Sequence, residues 1–317
     1  MHIQPPPLPP ALDGADVHML EGAAGPLALY LAGPARGVAQ PRGPVLLVHS
    51  VNAVASAAEV RPLFEALHAD CQVCALDLPG FGHSRPHEAA VAGDGPRYTV
   101  RQMTDAVTQA ARWLGEREGG VPVSAVGVSL GCEFLARAAA EHPALFRDLT
   151  LVSPTGVRGG QRLRGRPGST RHVAWADRVI RGPGWGAFLF RQLTRPAVIR
   201  YFLRRTWGSR QIDEALWAYD CLAARQPGAE HAPLSFLSAA LFSADIHDVY
   251  EAVRAPVLVV HGTRGDFTDY RGLPLPGVKH PWKVHVMRDT GALPYFERPL
   301  EFVTVWDAFF RACPAPA

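Results

Sequence analysis

Five stretches of this chain, residues 44–49, 72–76, 123–128, 149–153 and 256–261, are almost unbroken apolar runs. A strand with one face in water alternates apolar and polar residues, whereas a run that is apolar throughout reads as a strand covered on both faces. Helical-period stretches separate most of these runs. Helices are expected near 59–69, at 130–141, at 300–311 and at 98–118, where Met103, Val107, Ala110 and Leu114 share one stripe. Strands covered on both faces and alternating with helices assemble into a mainly parallel sheet with helices on either side. Runs 17–21 and 27–31 add an opening meander, and 284–287 adds a last strand.

Between residues 153 and 256 the alternation stops. That is too long for a crossover, so it reads as a helical insertion over the sheet. The length, 317 residues, fits two domains or one domain with an insertion. With 48% hydrophobic and 19% charged residues the chain can bury a large core, which excludes intrinsic disorder. Five cysteines are too sparse for a disulfide scaffold, and reduced thiols are expected. A net charge of +3 gives no case for nucleic acid. Residues 1–13 hold five prolines and no basic-then-apolar leader pattern, so a flexible arm is expected there. No run of 18 apolar residues could span a bilayer, and a cytoplasmic location is expected.

The segment Gly127-Val128-Ser129-Leu130-Gly131 fits G-x-S-x-G, follows a buried strand and opens a helix. A strand that reverses this sharply into a helix needs small residues around the central serine. The turn lifts the Ser129 hydroxyl above the strand ends. It also puts the Leu130 N–H at a helix N-terminus, where it can stabilise a developing oxyanion.

With this nucleophile elbow the chain resembles the α/β-hydrolase superfamily over nearly its whole length. Asp77-Leu78-Pro79-Gly80-Phe81-Gly82-His83-Ser84 looks like the family's turn after the fourth strand, Leu151-Val152-Ser153-Pro154 like the sixth strand end, and Val257-Leu258-Val259-Val260-His261-Gly262 like the seventh strand. The resemblance implies a doubly wound, mostly parallel eight-stranded sheet. Residues 14–156 and 255–317 would form its core, and 157–254 a helical cap inserted after strand six. In the loop His49-Ser50-Val51-Asn52, Ser50 stands where the family usually has glycine. By resemblance the N–H groups of Val51 and Leu130 are the oxyanion donors. Ser50 and Asn52 are candidates for substrate contact, although Asn52 and His49 can also simply hold the loop.

The rest of the triad departs from the pattern. Gly291-Ala292-Leu293-Pro294-Tyr295-Phe296-Glu297-Arg298-Pro299 resembles the family's G-H-x-P-x-x-E-x-P, with Ala292 in place of the histidine. A methyl group accepts no proton. The acid position after strand seven is Gly265, with Asp266 next and Asp269 further on. Asp266 is the tentative acid. As substitute bases, His261 and His83 rank first, being nearest the site by topology. No spacing suggests a metal site, and no glycine-rich nucleotide motif is present, so no cofactor is expected.

Arginine supplies 30 of the 32 basic residues, and 13 of those 30 fall in 157–210 beside one acid, Asp177. Residues 211–254 reverse the balance, with seven acids. The two halves could pair with each other, cover an anionic ligand, or rest on anionic lipid. Trp185 and Phe188, interleaved with Arg191 and Arg195, would suit an amphipathic surface helix or would roof an apolar pocket. The expected function is an esterase-like serine hydrolase acting on a small hydrophobic acyl or ester substrate, with an incomplete triad. The alternative is a non-hydrolytic member that binds a hydrophobic or anionic small molecule.

Overall fold

Strands β1 (Asp16–Leu20), β2 (Leu27–Ala32), β3 (Arg42–Val48), β4 (Cys71–Leu76), β5 (Val123–Val128), β6 (Phe146–Val152), β7 (Val257–Gly262) and β8 (Lys283–Met287) form one sheet in the order β1-β2-β4-β3-β5-β6-β7-β8. This is a computed structural model that describes residues 6–34, 42–84, 98–180, 182, 184–273, 275, 277–278 and 282–313. β1 and β2, and β2 and β4, pair antiparallel; every other pairing is parallel. The mostly parallel eight-stranded sheet expected from the apolar runs is thus present, each run falling within a residue or three of its strand.

Both faces are covered, which is why the runs are apolar throughout. On one face Leu46, Val48 and Leu149 meet Met103 and Val107 of α2 (Val100–Arg117) and Phe134 of α3 (Gly131–Glu141). On the other, Val45, Leu47 and Val126 meet Leu63 of α1 (Arg61–Leu67) and Phe302 and Trp306 of α11 (Pro299–Ala312). α2 starts where Thr99 caps it by accepting the Gln102 N–H.

Between β6 and β7 lie α4 (Ala174–Ile180), α5 (Trp185–Leu193), α6 (Pro196–Trp207), α7 (Glu214–Ala223), α8 (His231–Leu237) and α9 (Ile246–Ala252); the short α10 (Pro294–Glu297) precedes α11. The insertion is joined to the core by a buried ion pair, Arg137 of α3 to Asp245. Its two charged halves do pair in part: Arg164 binds Asp248 and Glu251, and Arg200 binds Glu214.

Residues 6–13 of the proline-rich arm lie against the protein. Leu12 is buried, the Leu8 carbonyl meets His83 Nε2, and the Pro9 and Pro6 carbonyls accept from Tyr219 and Gln226. Residues 1–5 fall outside the described residues. Among the described residues no helix is long and apolar enough to cross a membrane.

Candidate active site

Ser129 sits between β5 and α3 at φ +51°, a left-handed conformation that a non-glycine residue adopts only at a cost. Two contacts impose it. The Ser129 N–H donates to the Val152 carbonyl at 2.8 Å, continuing the β5–β6 ladder, and the Ser129 carbonyl accepts the Cys132 N–H at 3.1 Å as the chain turns into α3. The flanking glycines follow from the same crowding. A Cβ on Gly131 would overlap the His49 carbonyl oxygen, and one on Gly127 would lie 3.2 Å from Cys132 Cα. The elbow therefore needs the small residues that the motif supplies. Ser129 remains half-buried at the surface of the turn; Leu130, next in the chain, and Val51, in the loop after β3, are buried. Neither the Val51 N–H nor the Leu130 N–H has a hydrogen-bond partner among the described residues.

The loop carrying Val51 is held from behind by Glu59, a role the sequence alone does not reveal. One Glu59 carboxylate oxygen accepts the Ser50 N–H at 3.0 Å, and the other accepts Asn52 Nδ2 at 2.6 Å. Asn52 Oδ1 in turn accepts the Val54 N–H. Asn52 is thus occupied in fixing the loop. The available signal was Ser56-Ala57-Ala58-Glu59, which has the S-x-x-E form of a capping box. Ser56 does cap, but the Glu59 carboxylate points back to the loop. His49 fixes the other end. Its Nε2 accepts the Leu78 N–H at 2.9 Å, so Nδ1 carries the proton and donates to the Ser50 carbonyl.

Behind Glu59 lies Asp220 of α7, fully enclosed, with its Oδ1 unpaired among the described residues. Burial, then the charges of Glu59 and Asp213, push its carboxyl well above the usual carboxylate range. The folded state therefore keeps a proton that the unfolded chain releases above about pH 3.9. From there upward the folded state binds more protons than the unfolded one, so its advantage is full below that pH and is lost as pH rises toward the folded value. Asp220→Asn should remove this slope. Its stability relative to the parent chain should grow with pH, by up to about 1.4 kcal/mol per pH unit in that window. Urea denaturation at several pH values measures this; parallel curves for the two proteins would refute it.

The loops that carry Gly265 and Ala292 both pack against the end of α6. α6 ends in a left-handed Gly208, and its last carbonyls dock against the loops after β7 and β8. The Arg205 carbonyl accepts the Asp266 N–H at 3.2 Å, and the Thr206 carbonyl accepts the Ala292 N–H at 3.0 Å. The Trp207 carbonyl accepts Arg264 Nε at 2.9 Å. These are the carbonyls that a helix end leaves unpaired. At Gly265, φ +89°, a Cβ would stand 2.6 Å from the Arg205 carbonyl oxygen, so no aspartate fits there without moving α6. Ala292 is buried, and its carbonyl accepts the Ser153 hydroxyl at 2.7 Å.

The remaining candidates are dispersed. Asp266 is exposed and ion-paired to Arg205. Asp269 binds Arg271 and the Gly159 N–H, and the Arg271 guanidinium holds its carboxyl well below the usual range. His83 joins Tyr30 to the Leu8 carbonyl and so serves the arm. His261 ends β7, its Nδ1 bonded to the Gly262 carbonyl at 2.9 Å and its ring stacked on Tyr270 at 3.9 Å. Because a carbonyl only accepts, Nδ1 carries the proton and Nε2 keeps its lone pair; burial lowers the ring's pKa, which keeps it neutral. Among the described residues nothing is hydrogen-bonded to the Ser129 hydroxyl, and no group of three His, Cys, Asp or Glu side chains converges as metal ligands would. Trp185 and Phe188 stack on each other but are 50% and 43% exposed, more open than a pocket roof would be.

Residues 43–299 match the α/β-hydrolase fold family, and the chain belongs to it. Solved structures with the same fold include a membrane phospholipase A described as a bacterial virulence factor, at 20% identity, TM-score 0.67, covering 95% of this chain and 88% of that one. A 2-hydroxy-6-oxo-6-phenylhexa-2,4-dienoate hydrolase from Rhodococcus sp. strain RHA1 matches at 20% identity, TM-score 0.67, covering 94% and 100%. An N-acyl homoserine lactonase mutant, complexed with N-hexanoyl homoserine, matches at 22% identity, TM-score 0.67, covering 96% and 98%. A comparison with curated proteins returned no match.

Proposed function

We propose that this chain is a serine hydrolase acting on the ester or related acyl bond of a small hydrophobic substrate, with the β6–β7 insertion as its cap. The observation that carries the reading is the elbow: Ser129 is held at φ +51°, and no atom of the described residues uses the N–H groups of Val51 and Leu130. Strain of this kind costs on the order of 1–3 kcal/mol and persists at sites where it serves a purpose. In the proposed reaction Ser129 Oγ attacks the acyl carbonyl, and the oxygen that gains charge is met by those two donors.

The proton from Ser129 needs an acceptor, and His261 is the described histidine in a state suited to that role. It is neutral, its Nε2 lone pair is available, and the Gly262 carbonyl orients the ring. Val128, Val152 and Val260 are paired in register, so Ser129, Ser153 and His261 follow one another along the sheet edge. Two strand spacings, about 10 Å, separate the first from the last at the backbone, so the proton passes through a relay of waters or hydroxyls and not through a direct contact. This is a slower device than a direct contact. The phospholipase and lactonase among the similar structures make acyl esters and lactones sensible first substrates.

The test is covalent labelling. A fluorophosphonate probe should modify the folded protein at Ser129, and Ser129→Ala should abolish the label. No labelling, together with no turnover across a series of acyl chain lengths, would exclude the hydrolase. The second reading, a non-hydrolytic ligand-binding member, is favoured by Ala292; it expects a saturable thermal shift with a hydrophobic or anionic small molecule and no ester cleavage.

A further inference from the structure

We infer that the outer face of α4, α5 and α6 is a docking surface for an anionic lipid bilayer. Apolar residues at most helix surfaces turn inward, and here several large ones do not. Trp175 is 71% exposed and Val179 58% on α4, and Tyr201 and Phe202 on α6 are each 51% exposed, flanking the half-exposed Trp185–Phe188 stack on α5. The three helices pack in sequence, α4 on α5 and α5 on α6, so these exposed side chains lie on consecutive, contacting helices of the insertion. Their partners in sequence are arginines: Arg178, Arg191, Arg195 and Arg204 are all exposed. The single acid of residues 157–210, Asp177, is buried and lies 3.7 Å from His172, and the acids from outside that segment, Glu214 and Asp266, pair with Arg200 and Arg205 of α6, not with these four arginines.

Charge and shape together select the occupant. A second copy would bring the same arginines against themselves across a two-fold axis. Protruding tryptophan and phenylalanine side chains, set among long cationic ones, suit the headgroup region, where aromatic rings sit at the boundary and arginine stems reach outward to phosphate. The surface does not depend on hydrolysis.

The experiment is co-sedimentation of the full chain with vesicles of phosphatidylcholine alone and of phosphatidylcholine with phosphatidylglycerol. Binding is expected only to the second, and it should weaken as salt is raised. Replacing Arg191, Arg195 and Arg204 with glutamine should lower the partition coefficient about 5-fold per arginine. Trp175→Ala with Phe188→Ala should lower it again, with unchanged circular dichroism in every variant. Equal binding to both vesicles, binding to neither, or binding unaffected by these substitutions would overturn the proposal. So would self-association in solution that the same variants abolish, since the face would then belong to a dimer.

Discussion

Ala292→His is expected to raise esterase kcat/KM about 100-fold. The figure follows from how triads divide their work. In subtilisin, loss of the histidine costs about 2 × 10⁶ in kcat and loss of the aspartate about 3 × 10⁴, so a histidine without its carboxylate is worth roughly their ratio. That is the situation a histidine would meet here. Asp266 is tied to Arg205 on the surface, and Gly265 admits no side chain while α6 is docked. The backbone at 292 need not move, because its N–H bond to Thr206 and its carbonyl bond from Ser153 involve no side-chain atom of the alanine. A gain of this size, lost again in Ala292→His combined with Ser129→Ala, would mean that the elbow and oxyanion donors are intact and that a histidine at 292 serves Ser129 better than the His261 relay. No gain, measured as kcat/KM on a p-nitrophenyl ester, would mean that the loop after β8 no longer aims at Ser129, and it would favour the ligand-binding reading. Adding Gly265→Asp should not raise the rate further, since the new side chain would meet the Arg205 carbonyl.

How legible this was in the sequence depends on the range of the interaction. The strands announced themselves because parallel strands are covered on both faces, and the runs 123–128 and 256–261 differ little from β5 and β7. The elbow was legible because its demand is local: Gly127, Ser129 and Gly131 lie within one turn. Gly265 and Ala292 were visible as single letters, but the docking of α6 on the loops that carry them was not. It consists of carbonyl-to-amide bonds from α6 to loops about 60 and 85 residues away, and backbone bonds leave no mark in side-chain identity. Asp220 was missed for a related reason. An aspartate on a helix reads as a solvated face, and only packing against the Glu59 loop buries it. Trp185 and Phe188 went the other way: aromatic residues read as a roof, yet the helix turns them outward.

The largest effect on stability is expected at Arg137. This residue is buried on α3 and donates to both carboxylate oxygens of Asp245, at 2.5 and 3.3 Å. Asp245 Oδ2 also accepts the Gly168 N–H at 2.6 Å, so one carboxylate gathers α3 and two strands of chain from the insertion. One turn earlier on α3, Glu133 accepts the Ser243 N–H and the Thr155 hydroxyl, so two side chains four residues apart hold the segment that leads into α9. Arg137→Met removes the cation and leaves a buried carboxylate with only the Gly168 N–H, which costs about 3–5 kcal/mol, a third or more of the stability of many domains. The comparison that isolates burial is Arg101, paired to Glu141 at 2.6 Å with side chains 49% and 36% exposed, against 9% and 4% for Arg137 and Asp245. Exposed pairs contribute about 0.2–1 kcal/mol, so Arg101→Met should shift the urea midpoint only slightly. If the two methionine variants unfold at the same denaturant concentration, Arg137 is not the joint between core and insertion. If Arg137→Met with Asp245→Leu recovers part of the loss, the cost lay in the stranded charge. The remainder should be small, because Gly168 is exposed and its N–H can turn to water.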